Sequence, residues 1–197
     1  MEKSFDNIYI KKHYEDQLLV KDALQIYFSH YHFKDGGYKD KWFKIKIGPF
    51  FLPLPNIKDR VDAVKIHDIH HVITEYRADY KGEVQIGAWE IASGCGKYYI
   101  AWLLNFGSFV IGIFFFPKHL FQAFMEGRSC RTNLYHACAY DEKLLNKTVG
   151  ELRELVGAPQ KRNKTTKDYL YFILYCVTSL IYPLAGAAFT YVIYYCL

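Results

Sequence analysis

Charge is missing from two long stretches of this chain. Residues 98–116 and 169–197 contain no Asp, Glu, Lys or Arg, although such residues make up 23% of the whole. The shortage is therefore local, and the charged residues crowd into what remains. Paired cysteines are missing too. Cys95, Cys130, Cys138, Cys176 and Cys196 form no C-x-x-C pair, which excludes a zinc ribbon and a disulfide framework and suits a reducing compartment. There is no G-x-G-x-x-G, no P-loop and no G-x-S-x-G, so dinucleotide, nucleotide-phosphate and serine-hydrolase sites are not indicated. A basic stripe is also lacking. The net charge of +5 is spread among mixed signs, and nucleic-acid binding is not expected. Near Met1 no apolar signal core is seen, and Glu2 and Asp6 do not suit a mitochondrial transit peptide.

The patterning that is present reads as mainly α. Apolar residues at helical spacing predict a helix over 14–32, stopped at Asp35-Gly36-Gly37. Residues 41–47 alternate weakly, as in a short strand, and Gly48, Pro49, Pro53 and Pro55 predict irregular chain after it. A helix is expected from 57 to about 80 with Asn56 as N-cap, and another from Glu83 to Ser93 after a break at Gly82. Residues 98–116 form an apolar helix, either buried or membrane-associated. Residues 122–140 mix helix and loop, and a short amphipathic helix lies within 144–156. Residues 169–197 are long enough to span a bilayer, bent or turned near Pro183. Lys161, Arg162, Lys164 and Lys167 precede that segment and suit the cytoplasmic side. The expected organisation is a helical metal-binding domain over 1–160, then a basic juxtamembrane stretch and transmembrane segment over 161–197.

One constellation carries chemistry. His67 and His71 are four residues apart and stack on one helical face. Asp68 lies about 100° round from His67, at the edge of that face. Glu83 opens the next helix, where a turn brings it back beside the histidines. Imidazole and carboxylate together suit zinc, and also iron or manganese. Glu75 falls one turn beyond His71, and His70 flanks His67, so either can orient a ligand. Glu83, Gly87, Glu90 and Gly94 share a narrow arc, leaving room for a substrate or a close helix. Asp68, Glu75 and Glu90 are the candidate proton carriers. The bland alternative is a set of ordinary surface or core histidines. H-E-x-x-H is only approached, with Asp68 in place of the glutamate base.

H-D-x-x-H, eleven residues, then E resembles the signature of the coenzyme Q (ubiquinone) biosynthesis protein Coq four family. His67, Asp68, His71 and Glu83 fit it at that spacing. Gly82-Glu83-Val84 with Trp89-Glu90 is similar to the family's following segment. Gly127-Arg128, Leu144-Leu145, Leu152-Arg153 and Val156-Gly157 are similar to its C-terminal part. The resemblance covers roughly residues 47–159. It implies a helical protein on a membrane surface, with His67, Asp68, His71 and Glu83 as ligands of a zinc ion. It further implies a role in ubiquinone biosynthesis, either in oxidative decarboxylation of a polyprenylated aromatic-ring intermediate or in organising other biosynthetic enzymes. The chain departs from the family in its apolar C-terminal extension and its unusually apolar 98–116 helix, which leaves another aromatic or lipid product open.

The expected partners are membrane lipid, a prenylated aromatic small molecule and other biosynthetic enzymes, with a homo-oligomer also compatible. An enzyme of the lyase or oxidoreductase kind is one reading. A non-catalytic lipid-binding scaffold and a membrane-anchored metal hydrolase are the alternatives.

Overall fold

The computed structural model describes residues 14–34, 36–47, 50–157 and 163–196. The chain is mainly helical. Helix α1 (Val20–Tyr31) leads to a hairpin of β1 (Trp42–Ile47) and β2 (Phe50–Pro55). Then come α2 (Lys58–Thr74), α3 (Tyr80–Ser93), α4 (Tyr99–Phe115) and α5 (Pro117–Ser129). Short helices α6 (Leu134–Ala137), α7 (Glu142–Leu145) and α8 (Val149–Val156) precede the long α9 (Thr166–Cys196).

The hairpin overturns the expectation of irregular chain after residue 47. Its antiparallel register pairs Lys44 with Pro53 and Trp42 with Pro55. Just beyond, the Asn56 N–H donates to the Lys41 carbonyl at 3.0 Å. Hydrogen-bonded and open pairs alternate along such a ladder. Pro53 and Pro55 thus share the outward-facing edge, where a missing N–H costs nothing.

Several boundaries also differ from the sequence expectation. Helix α1 begins at Val20, because Leu19 forms an isolated bridge with Thr148. Asn56 does not cap α2: the cap position is Ile57, and the Asn56 amide donates to Gly37 and Asp40 carbonyls. Helix α2 ends at Thr74, with Glu75 in the left-handed region at φ 61°. Gly82 does not break α3, which starts at Tyr80 under the Asp79 cap. A Cβ on Gly82 would lie 1.7 Å from the Arg77 carbonyl oxygen. The glycine therefore permits a tight α2–α3 connection. Gly82→Ala is expected to destabilise the protein by about 1–3 kcal/mol, read as a lowered midpoint in urea unfolding. Pro117 ends α4 and is also the first residue of α5, where its lost N–H is not needed.

Helix α3 is the central element. Ile86 and Trp89 belong to one apolar cluster, with α1, α2 and α8. Val84, Ala88, Ile91 and Ala92 belong to a second, with α4 and α5. A helix between two cores must be apolar on both sides, and residues 84 and 86–92 are all buried. Glycines bring its neighbours close. A Cβ on Gly127 of α5 would meet the Trp89 carbonyl at 2.4 Å, and one on Gly87 would meet Ser108 of α4 at 2.2 Å. The space expected between Glu83 and Glu90 is thus filled by a close helix.

Helix α9 docks on α4 and α5 through aromatic rings. Phe172 meets Phe109, Phe121 and Phe124 at centroid distances of 6.0, 5.1 and 5.3 Å. Buried Asp168 anchors its start by an ion pair with Arg128 at 3.2 Å. The outer faces of α4 and α9 expose Phe114, Phe115, Leu170, Ile173, Leu174 and Ile181. The backbone of α9 continues as one helix through Pro183, the longer of the two readings of this segment, and not as a hairpin. Among the described residues, no helix is long and apolar enough to cross a membrane. The 17 residues of α4 rise only about 25 Å, short of the ~30 Å hydrocarbon layer. Lys161, Arg162 and the side chains beyond Ile181 lie outside the described residues.

Candidate metal centre

Helix α2 sends its polar residues in three directions. His67 and His71 face the start of α3, His70 faces α6, and Asp68 faces the loop after α1. The tight Gly82 connection then places Glu83, in the first turn of α3, against the histidine pair. Glu83 Oε2 is 3.5 Å from His67 Nε2, and Glu83 Oε1 is 3.4 Å from His71 Nε2. The two Nε2 atoms are 3.1 Å apart. His71 is buried, while Glu83 retains 44% side-chain exposure, so the group opens to the surface on the Glu83 side.

The opposite edge of each ring is already committed. His67 Nδ1 lies 3.0 Å from Glu90 Oε1, and a carboxylate can only accept there. His71 Nδ1 lies 2.9 Å from the Tyr76 carbonyl, which also can only accept. These partners put a proton on both Nδ1 atoms. Both Nε2 lone pairs then converge on the carboxylate of Glu83. Two nitrogen lone pairs and two carboxylate oxygens repel one another there unless a positive charge lies between them. A proton on His67 supplies one such charge; a divalent cation supplies a larger one.

The spacing suits a cation. Ligand bonds of about 2.0–2.1 Å at a tetrahedral angle place donor atoms about 3.3 Å apart. The Nε2–Nε2 separation of 3.1 Å, and the carboxylate contacts of 3.4 Å from Oε1 to His71 and 3.5 Å from Oε2 to His67, lie near that value. Nδ1–H bonds to carboxylate and carbonyl are the usual outer support of metal-bound histidine. Three protein donors with one exposed side match a catalytic-type centre, in which a fourth position is left for water or substrate.

The surrounding charges respond to this arrangement. For His67, burial works against the cation, but the Glu90 and Glu83 carboxylates outweigh it and hold the imidazolium well above its usual range. Burial would also raise Glu83, yet the charge and hydrogen bonds of His71 and His67 hold it well below the ordinary carboxylate range. A metal ion must displace the His67 proton to bind. Affinity is therefore expected to fall as pH falls, by about tenfold per unit where one proton is displaced. Because His67 is raised, the decline begins above the ordinary histidine pKa. Zinc titrations against a chromophoric chelator at several pH values measure this, and a flat profile contradicts it.

The other expected residues are placed as follows. Among the described residues, His67, His71 and Glu83 form the group whose donor atoms all lie within 4.8 Å of one another. Asp68 is not part of that group. It is buried, and its Oδ2 accepts from the Tyr38 hydroxyl at 2.6 Å. Burial pushes its carboxyl up to about 6, with His67 and Tyr38 pulling the other way. Glu75 sits at the helix end, not on the helical face, and pairs with Arg153 at 2.7 Å. Its left-handed turn brings the Tyr76 carbonyl back onto His71. Glu90 is wholly buried beside the cluster and receives the second edge of His67.

His70 has a fixed tautomer. Its Nε2 accepts from the Leu134 N–H at 3.1 Å, and its Nδ1 donates to Glu90 at 2.6 Å. Burial, the largest influence, lowers its pKa despite that carboxylate, so the neutral ring is the stable form. It braces Glu90 and presents no lone pair to the metal group.

Sequence reasoning missed four contributors. Tyr27 of α1 stacks on His71 at 5.5 Å and 22°. Tyr38 holds Asp68, while Tyr135 and Asn105 hold Glu90. Asn105 did leave a signal, since a strongly polar amide in an apolar helix needs a buried partner.

Fold and site together define a mainly helical protein with a candidate three-ligand metal centre. Comparison of the chain with family models, curated proteins and solved structures finds no match.

Proposed function

We propose that this protein binds one divalent metal at His67, His71 and Glu83 and uses it on a membrane-borne aromatic substrate. The carrying observation is the convergence of two Nε2 lone pairs, 3.1 Å apart, on one carboxylate. Zinc suits the two imidazoles and carboxylate, and iron or manganese is chemically admissible. A bound cation would supply Lewis-acid polarisation of a carboxylate or phenolic oxygen.

The protein's own groups have separable tasks. His67, His71 and Glu83 hold the cation. Glu90 and the Tyr76 carbonyl orient the two rings. Asp68, with its raised carboxyl and its Tyr38 partner, is suited to holding or passing a proton beside the site. Glu75, locked to Arg153, shapes the turn behind His71.

Membrane contact is proposed from the apolar outer faces of α4 and α9, where Phe114 and Phe115 are 66% and 73% exposed. Several large apolar side chains exposed on two packed helices suit an interaction surface. Lys164 and Lys167, beside that surface, favour the cytoplasmic face of the bilayer. The pathway assignment rests on the resemblance to the Coq four family. It gives a polyprenylated aromatic acid as substrate, decarboxylated oxidatively to the phenol in ubiquinone-type synthesis. Dioxygen is then the oxidant, and an added electron donor supplies the remaining reducing equivalents.

The test is carbon dioxide release from a carboxyl-labelled polyprenyl hydroxybenzoate in vesicles. The mixture contains metal-loaded protein, dioxygen and an electron donor. Release that depends on His67 and His71 supports the enzyme. Metal and lipid binding without any release would replace it with the scaffold reading.

A further inference from the structure

We propose that Asn105 is a positioning residue that couples α4 to the metal centre through Glu90; this rests on the metal reading above. Glu90 is wholly buried and receives donors from three elements. Its Oε1 takes His67 Nδ1 at 3.0 Å and His70 Nδ1 at 2.6 Å. Its Oε2 takes Asn105 Nδ2 at 2.6 Å, and the Tyr135 hydroxyl lies 3.2 Å from each oxygen.

The terminal torsion of a glutamate is broad and has little preference of its own. The rotation of this carboxylate is therefore set by what it bonds. Tyr135 is equidistant from both oxygens and does not choose between them. Asn105 bonds Oε2 alone and, opposite the two histidines on Oε1, holds the plane of the carboxylate in the orientation that His67 meets. The amide orientation follows from chemistry, because only its nitrogen can donate to a carboxylate.

Asn105 is itself well placed for the task. It is 5% exposed, on the inward face of an otherwise apolar helix. Gly87 lets α4 approach, since a Cβ there would stand 3.3 Å from Asn105 Oδ1. A second weak contact, from Nδ2 to Cys95 Sγ at 3.5 Å, steadies the amide. Helix α4 thus bonds Glu90, which supports the ligand His67, on one face and exposes Leu103, Phe114 and Phe115 on the other.

The experiment uses the purified full chain and zinc alone, with cobalt(II) absorption as a report on ligand geometry. Asn105→Leu is expected to weaken zinc binding roughly 10–100-fold and to alter the cobalt spectrum. Asn105→Ser keeps a donor and should lose less. In a Glu90→Leu background, measured where that variant is still folded, Asn105→Leu should cause no further loss, because the group that links it to His67 is gone. Equal losses in both backgrounds, or wild-type affinity and spectrum in Asn105→Leu, would overturn the coupling. If Asn105→Leu does not fold, Asn105→Ser carries the same cycle with the same outcomes. A wild-type chain that binds no zinc overturns the metal reading and this coupling with it. Zinc binding that ignores Asn105 overturns the coupling alone.

Discussion

The double substitution His67→Ala/His71→Ala is expected to take bound zinc from roughly one equivalent to background. Two of three donors disappear, and Glu83, partly exposed on the surface, has too little left to retain a cation. The loss has a second readout. A ligand that binds only the folded state stabilises it by about 2.7 kcal/mol at a hundredfold excess over Kd. The wild-type protein should therefore melt higher when zinc is added, and the double variant should not respond. Unchanged zinc content in the variant would place the metal elsewhere in the chain.

Glu90→Leu should have the largest effect on stability. The carboxylate takes bonds from His67, His70, Asn105 and Tyr135 and is itself wholly buried. Its charge is well stabilised: burial opposes it, but His67 and His70 outweigh burial and hold its pKa far below the usual range. Leucine takes this acceptor from three buried donors, on His70, Asn105 and Tyr135, and from the partly exposed His67. Breaking such a network by removing one partner costs about 3–5 kcal/mol. A fall of that size in urea unfolding free energy is expected. Glu90→Gln keeps the shape and one acceptor oxygen and should cost less. A Leu variant as stable as wild type would show that the network is not tightly formed.

The legible part of the site was the part encoded locally. His67 and His71 share a face because they are four apart on one helix, and Glu83 follows after a short connection. Periodicity alone carries that much. Local spacing did not carry the end of α2. It stops at Thr74 because Glu75 turns left-handed and bonds Arg153, which is 78 residues away. No pattern near residue 75 reveals that partner, and helical spacing alone continues the His71 face to Glu75, beyond where the helix ends.

Helical spacing puts Glu90 on the arc shared with Glu83, but its surroundings come from α2, α4 and α6. Their convergence is a property of packing: Gly87 and Gly127 admit neighbouring helices to within contact of α3. The hairpin shows the same limit. Pro53 and Pro55 argue against a strand until the outward edge of a two-stranded ribbon is available to them. Asp68 matched a four-residue signature by spacing, while the Tyr38 hydroxyl, 30 residues away, holds its carboxylate.

X-ray absorption at the zinc edge, on protein carrying one equivalent of zinc, tests the central claim most directly. Two imidazole nitrogens should appear at about 2.0–2.1 Å, with oxygen completing the shell and no sulfur at about 2.3 Å. A shell containing cysteine sulfur, or one of oxygen alone without imidazole scattering, would contradict a metal centre at His67, His71 and Glu83.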